Sequence, residues 1–187
     1  IAKLIHASVP MLIAEGAKVV VIGCNSASVT VIEELREKYP GTPFVGVVPV
    51  VKTAAERTKS GKVVVFATRT TLSSPFYAQL KQTYAFGTTI IDIPCPTWVG
   101  MVESGKLDEE EIRATVRSAV GLGADQIVLG CTHYPFLTDV IKQESGDAEI
   151  IHSGPAIARQ VQRILTANEA LADKPDGEAT YLTSGDP

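Results

Sequence analysis

Residues 19–26 read Val-Val-Val-Ile-Gly-Cys-Asn-Ser, and residues 126–133 repeat the pattern as Gln-Ile-Val-Leu-Gly-Cys-Thr-His. Each stretch is a short apolar run followed by glycine, cysteine and two polar residues, which predicts a buried parallel strand. Ligands of open α/β sheets bind at the carboxyl ends of such strands. The two stretches therefore predict two similar units that present Cys24 and Cys131 to one ligand site.

The composition is typical of a water-soluble globular protein. The chain has 187 residues, of which 45% are hydrophobic, and a net charge of -4. This balance predicts no basic surface for nucleic acid, and the apolar runs are too short to span a membrane. The three cysteines are odd in number and far apart, so no disulfide framework is expected. A reducing cytoplasm is the expected location.

Strand-like and helix-like patterns alternate along almost the whole chain. This alternation predicts an α/β fold with parallel sheets flanked by helices. The repeated strand-Gly-Cys unit predicts two similar domains related by a pseudo-twofold axis, with the active site in the cleft between them. We expect a first domain over 1–49 plus 154–187 and a second over 50–153. Among the individual elements, we expect one helix over 72–83 and a final strand over 179–184.

The pattern alone leaves four interpretations of the two cysteines open: burial, a zinc site, a single nucleophile and two-base proton transfer. In each case the thiol follows a strand near a helix amino terminus, and this position is expected to lower its pKa. Simple burial is the plainest alternative, because free cysteine often packs as a small hydrophobic residue. A zinc site at Cys131 and His133 lacks a second close ligand pair. A single nucleophile at Cys131 with His133 as base leaves Cys24 without a role.

Two-base proton transfer gives both cysteines a role. Inversion at carbon requires one group to remove a proton from one face and a similar group to return a proton to the other face. Two equivalent strand-end thiols satisfy this requirement. Uncharged hydrogen-bond donors near the thiols suit substrate carboxylates held at helix amino termini. Ordinary helix capping is the alternative for each donor. Asn25 or Ser26, for example, could cap a helix over 27–38. These donors are Asn25, Ser26, Thr68, Thr71 and Thr132.

No nucleotide or pyridoxal phosphate signature is present, so we expect no cofactor. The ligand spacing of a zinc site is also absent, so we expect no metal.

Two motifs carry a resemblance to a known family. Residues 23–28, Gly-Cys-Asn-Ser-Ala-Ser, and residues 130–135, Gly-Cys-Thr-His-Tyr-Pro, closely resemble the two signatures of the glutamate racemases. These enzymes belong to the aspartate/glutamate racemase superfamily. Weaker matches at 44–49, 67–71 and 151–154 extend the resemblance over essentially the whole chain.

The resemblance implies cofactor-independent interconversion of L-glutamate and D-glutamate, which supplies D-glutamate for bacterial peptidoglycan. It implies that Cys24 and Cys131 are the acid/base thiols and that His133 and Glu103 assist Cys131. A solvated carboxylate at a helix end is the alternative for Glu103. The positions that match substrate contacts in the family are Asn25, Ser26, Thr68, Thr71, Thr132 and His133.

The resemblance departs from the family at the amino terminus, where the family has a strand with an Asp-Ser pair. We therefore expect the complete protein to have a preceding segment that this chain lacks. Two further hypotheses stay open: a racemase of another substrate, such as aspartate or a hydantoin, and a truncated, non-catalytic domain that binds a small dicarboxylate or a protein. A homodimer is the expected assembly.

Overall fold

The computed structural model describes residues 1–173 and 177–183 and contains two parallel sheets. The strands are β1 (Val20–Ile22), β2 (Phe44–Gly46), β3 (Lys62–Ala67), β4 (Thr89–Pro94), β5 (Gln126–Leu129) and β6 (Glu149–His152). The α-helices are α1 (Ala2–Ala14), α2 (Asn25–Lys38), α3 (Val51–Arg57), α4 (Arg69–Leu72), α5 (Pro75–Tyr84), α6 (Trp98–Ser104), α7 (Glu109–Gly121), α8 (Thr138–Glu144) and α9 (Gly154–Ala167), and a 3₁₀ helix covers Tyr134–Leu137. Among the described residues, no helix is long and apolar enough to cross a membrane.

The larger sheet has the strand order β4-β3-β5-β6, and all neighbouring strands are parallel. Its central strands β3 and β5 are buried almost completely, because helices cover both faces of the sheet. Successive side chains of β3 alternate between the faces. Val64 and Phe66 pack into one core with Trp98, whereas Val63 and Val65 pack into the other. The two strand-end turns after β3 and β5 therefore start from strands that are almost completely buried.

The smaller sheet consists of β1 and β2, which pair in parallel with Val20 opposite Phe44. Its core also includes Val9 of α1 and Leu35 of α2, both buried. Pro10 lies inside α1, as the sequence indicates. This unit places the turn after β1, with Cys24, next to the turns of the larger sheet.

The predicted α/β class with parallel sheets flanked by helices is confirmed. Two element predictions are wrong. The helix expected over 72–83 is divided into α4 and α5, because Ser74 caps a new helix with Pro75 in its first turn. No strand forms over 177–183, the described part of the carboxyl terminus, so the strand expected over 179–184 is absent there, and its last residue, Ser184, lies outside the described residues.

A buried serine connects β1, α2 and the end of β2. Ser28 donates its hydroxyl hydrogen to the carbonyl oxygen of Ile22 at 3.0 Å and accepts the Val47 N–H at 2.9 Å. Its side chain is fully buried. Removal of the hydroxyl would leave two backbone groups without this partner in a place that water does not reach.

We therefore expect Ser28→Ala to lower the free energy of unfolding by about 1–3 kcal/mol. Urea denaturation followed by circular dichroism measures the change. Thr30→Ala is a matched control on the same helix, because the exposed Thr30 hydroxyl donates to the carbonyl of Ser26 one turn earlier. This control should change stability by less than about 0.5 kcal/mol, and equal losses in both variants would contradict the role given to Ser28.

Candidate active site

Three hydroxyl groups join the two sheet units. Ser26 Oγ on α2 lies 2.8 Å from Thr68 Oγ1 and 3.3 Å from Thr71 Oγ1, and the two threonine hydroxyls are 3.1 Å apart. Ser26 and Thr71 are buried. Thr68 also caps α4 by accepting the Thr71 N–H, so capping and membership of the cluster coexist at this residue. Each hydroxyl can donate one hydrogen bond, and the cluster can turn these donors towards a carboxylate.

Asn25 adds an amide next to this cluster. It is 2% exposed, and neither amide atom has a hydrogen-bond partner among the described residues. A buried amide without partners is costly, so such a group indicates a ligand or water that would complete its hydrogen bonds. Contrary to the expectation, neither Asn25 nor Ser26 caps α2. Cys24 occupies the cap position, and Asn25 is the first helical residue.

Cys131, His133 and Glu103 form a chain of contacts at the second strand end. The Cys131 sulfur lies 3.7 Å from His133 Nδ1, and His133 Nε2 lies 2.5 Å from Glu103 Oε1. Because the carboxylate accepts a hydrogen bond from Nε2–H, Nδ1 of the neutral ring is left as an acceptor that faces the thiol. Glu103 contacts His133 in this way although its side chain is 69% exposed near the end of α6.

Burial raises the pKa of the Cys131 thiol. The backbone N–H of His133, and to a lesser degree those of Thr132 and Tyr134, act in the opposite direction, and the charge of Cys24 raises the pKa further. The expected lowering by a helix amino terminus is wrong for this residue, because desolvation of the thiolate exceeds the effect of the N–H groups. The thiol form of Cys131 is thus favoured in the absence of ligand.

Cys24 has a different environment from Cys131. Its side chain is exposed, and its carbonyl accepts the Ser28 N–H at 2.8 Å. It lies at the edge of an apolar groove of about 280 Å³ between α1 and β1. Burial as a small hydrophobic residue is therefore wrong for Cys24, whereas Cys131 is buried.

Two cavities open beside Cys131. One, of about 330 Å³, is lined by Cys131 and Thr132 together with residues of β6 and α9. The other, of about 490 Å³, is lined by Thr132, His133 and Glu103. Thr132 lies between them and is half-buried. Both cavities are large enough for a small amino acid, and the half-buried Thr132 provides a hydroxyl donor between them.

The structure thus brings the predicted residues into two groups, one of hydroxyls near Cys24 and one around Cys131. All three cysteines are free, so a disulfide between the two thiols is not formed. Within residues 1–173 and 177–183, no group of three or more His, Cys, Asp or Glu side chains is arranged for a metal ion. The zinc alternative therefore lacks a ligand set in this part of the chain.

Sequence reasoning missed one feature of the site. The Tyr134 hydroxyl donates to the carbonyl oxygen of Cys95 at 2.8 Å, and both residues are buried. Cys95 follows β4, far from Tyr134 in the sequence, so no local pattern predicts the contact. The one sign was the position of Tyr134, directly after His133.

The fold and the site together define a parallel α/β protein that presents two cysteine thiols and uncharged hydrogen-bonding groups at the ends of its strands. A model of the Asp/Glu/Hydantoin racemase family matches residues 2–161. The glutamate racemase of Pseudomonas putida (strain GB-1) is 43% identical over 178 residues, which cover 92% of this chain and 67% of that protein. The chain belongs to the Asp/Glu/Hydantoin racemase family.

Solved structures agree with this assignment. A glutamate racemase isoform from Bacillus anthracis superposes with a TM-score of 0.78 and 31% identity, over 92% of this chain and 66% of that one. The Escherichia coli glutamate racemase, solved with L-glutamate and the activator UDP-MurNAc-ala, gives a TM-score of 0.69 and 28% identity, over 88% and 64%. The chain therefore spans about two thirds of the length of these relatives. Their name is that of an amino-acid racemase, which confirms the predicted isomerase class at the level of the family.

Proposed function

We propose that the full protein interconverts L-glutamate and D-glutamate by two-base proton transfer between Cys24 and Cys131. The observation that carries this proposal is the pair of strand-end thiols, of which the second contacts His133 and through it Glu103. The glutamate racemase relatives support glutamate as the substrate. Such an activity would supply D-glutamate for peptidoglycan.

The proposed substrate contacts follow from the chemistry of an α-amino dicarboxylate. Its carboxylates need several hydrogen-bond donors, which the cluster of Ser26, Thr68 and Thr71 provides next to the unpaired amide of Asn25. Thr132 provides a further hydroxyl between the cavities beside Cys131. Uncharged donors hold a carboxylate without an ion pair, and charge-assisted hydrogen bonds are the stronger kind. The product, which has the same carboxylates as the substrate, can therefore dissociate after the reaction.

The proposed proton path at Cys131 runs through His133. With Nδ1 as an acceptor, the imidazole takes the thiol proton and leaves a thiolate that can remove the α-proton from one face of the substrate. Glu103 stabilises the imidazolium that forms. The thiol of Cys24 then donates its proton to the other face of the carbanion and becomes a thiolate. In the opposite direction, the Cys24 thiolate removes the α-proton and the thiol of Cys131 donates its proton to the carbanion. Proton exchange with water returns each group to its starting state. Side chains alone perform these steps in the proposal, without a cofactor.

The domain division remains part of the proposal. The strands of the smaller sheet lie within 1–49, and the strands of the larger sheet lie within 50–153. Helix α9 contacts β2 of the smaller sheet, which supports the assignment of 154–187 to the first domain, although residues 174–176 and 184–187 lie outside the described part.

The free cysteines support a cytoplasmic location. Sedimentation equilibrium of the full protein tests the proposed homodimer.

Incubation of the full-length protein with each glutamate enantiomer in deuterated water tests the function. We expect the opposite enantiomer to accumulate until both are equal, with deuterium at the α-carbon of the product. Chiral chromatography and proton NMR measure the two quantities. Aspartate and a hydantoin serve as comparison substrates. Faster inversion of either would change the substrate assignment, and binding of glutamate without inversion or exchange would identify a non-catalytic binding domain.

A further inference from the structure

We propose that Tyr134 is a positioning residue that fixes the turn with Cys131 and His133 against the end of β4 and against α6. The inference deepens the proposed function, since it concerns the same site. The Tyr134 side chain is fully buried and lines neither of the cavities beside Cys131. Its contacts are therefore with the protein and not with a substrate.

Two contacts of Tyr134 lead to the elements that carry other site residues. Its hydroxyl donates to the Cys95 carbonyl, and the N–H of Cys95 donates to the carbonyl of Ala67 at 3.0 Å. Ala67 directly precedes Thr68. One residue, Cys95, thus connects the threonine turn after β3 with the cysteine turn after β5, through a hydrogen bond of its N–H to Ala67 and a hydrogen bond of its carbonyl from Tyr134.

The ring of Tyr134 makes the second connection. It packs edge-on against Trp98, with ring centroids 5.1 Å apart, and Trp98 packs in turn against Phe66 of β3 at 5.1 Å. Trp98 is the first residue of α6, the helix that carries Glu103. The ring therefore sets the distance between α6 and the turn after β5, which is the distance that the contact of His133 with Glu103 requires.

A hydrogen bond within the turn after β5 constrains it further. The Tyr134 N–H donates to the Cys131 carbonyl at 3.2 Å, so the four residues 131–134 form a closed turn. A rotation of this turn would change the position of the sulfur and of the imidazole together. The ionisable groups near the Cys131 sulfur are Cys24, Cys95, His133 and Tyr134 itself.

Tyr134→Phe in the full-length protein tests the proposal, because it keeps the ring and removes the hydroxyl. We expect kcat/KM for glutamate to fall about tenfold, as a displacement of a fraction of an ångström at the reacting groups would cause. With α-deuterated substrates, the isotope effect on kcat/KM should rise for the enantiomer deprotonated by Cys131 and fall for the other. The first enantiomer is the one whose α-proton exchange is lost in Cys131→Ser.

Tyr77→Phe is the matched control. Tyr77 is also fully buried, but it packs in the core on the other face of the larger sheet, and its hydroxyl donates to Asp92 at 2.5 Å. This variant should lose stability but keep kcat/KM within about twofold and leave both isotope effects unchanged. Replacement of Tyr134 by 4-aminophenylalanine places an amino donor at the ring position of the hydroxyl. This variant should recover most of the kcat/KM that Tyr134→Phe loses. Equal effects of the two Tyr→Phe substitutions would overturn the proposal.

A readout without turnover separates this proposal from the proposed function. Iodoacetamide alkylation of Cys131, followed by mass spectrometry across pH, reports the ionisation of its thiol. In Tyr134→Phe the midpoint should move upward by about half a pH unit, because the loosened turn no longer holds its N–H groups towards the sulfur. If the wild-type protein fails to racemise any substrate, the proposed function is rejected. An unchanged midpoint in Tyr134→Phe would reject the positioning role of Tyr134, whether or not the wild-type protein racemises a substrate. It would also reject that role if Tyr134→Phe were inactive.

Discussion

We expect Cys24→Ser and Cys131→Ser in the full-length protein each to lower kcat/KM for the proposed glutamate inversion by roughly 10²–10⁴-fold, the contribution of a positioned acid/base group. Serine is similar in size to cysteine, but its hydroxyl is far less acidic, so it removes the α-proton much more slowly. The loss of kcat/KM must be equal in both directions, because the two enantiomers have equal free energies in water and the ratio of the two kcat/KM values is therefore fixed at one. Chiral chromatography with L-glutamate and with D-glutamate measures both rates.

Exchange of the α-proton with deuterated water separates the two thiols. A variant that retains one thiol can still remove a proton from the face that this thiol contacts. We therefore expect Cys24→Ser to exchange one enantiomer and Cys131→Ser to exchange the other. Cys95→Ser is the matched control, because it changes a buried thiol that donates to the Ile93 carbonyl and keeps the backbone groups of Cys95 that bond to Ala67 and Tyr134. Full inversion in either active-site variant would reject two-base transfer.

The sequence predicts those parts of the site that follow from local patterns. An apolar run followed by a cysteine identifies the strand ends of β1 and β5, because strand burial and the glycine that ends the run are both local properties. The members of the hydroxyl cluster could be expected in part, since Ser26 and Thr68 each follow a predicted strand. Their contact with each other depends on how the two separate sheets pack, which no local pattern contains.

Properties that depend on distant residues could not be predicted in this way. The pKa of Cys131 is raised because the fold buries its thiol, whereas a strand-end pattern predicts exposure next to a helix dipole. The contact between Tyr134 and Cys95 joins elements 39 positions apart in the chain. The break between α4 and α5 had a local sign in Ser74 and Pro75, but helical periodicity on both sides concealed it.

The glycines before the two cysteines show the same limit most clearly, because their sequence contexts are alike. A Cβ atom at Gly130 would lie 2.9 Å from the Phe66 carbonyl oxygen and 3.0 Å from Ala67 Cβ, both in the buried strand β3. The Gly130 N–H also donates to that Phe66 carbonyl at 2.7 Å. At Gly23 a Cβ atom would meet no atom within 4 Å.

We therefore expect Gly130→Ala to lower the free energy of unfolding by about 1–3 kcal/mol, the usual result of overpacking a core. The strands cannot separate freely, so the backbone at residue 130 must shift and carry Cys131 with it. A displacement of several tenths of an ångström should reduce kcat/KM by about tenfold or more. Urea denaturation and racemisation assays measure the two effects on the same preparation.

Gly23→Ala is the matched control at the equivalent position before the other cysteine. Because the space around Gly23 is open and its backbone is not in the left-handed region, we expect stability to change by less than about 0.5 kcal/mol. Racemisation should stay within about twofold, since Cys24 keeps its place at the start of α2. If both substitutions reduced activity equally, the close contact of Gly130 with β3 would not be what positions Cys131. An effect confined to Gly130→Ala would show that the tight packing of β5 on β3 holds the second thiol in its reactive position.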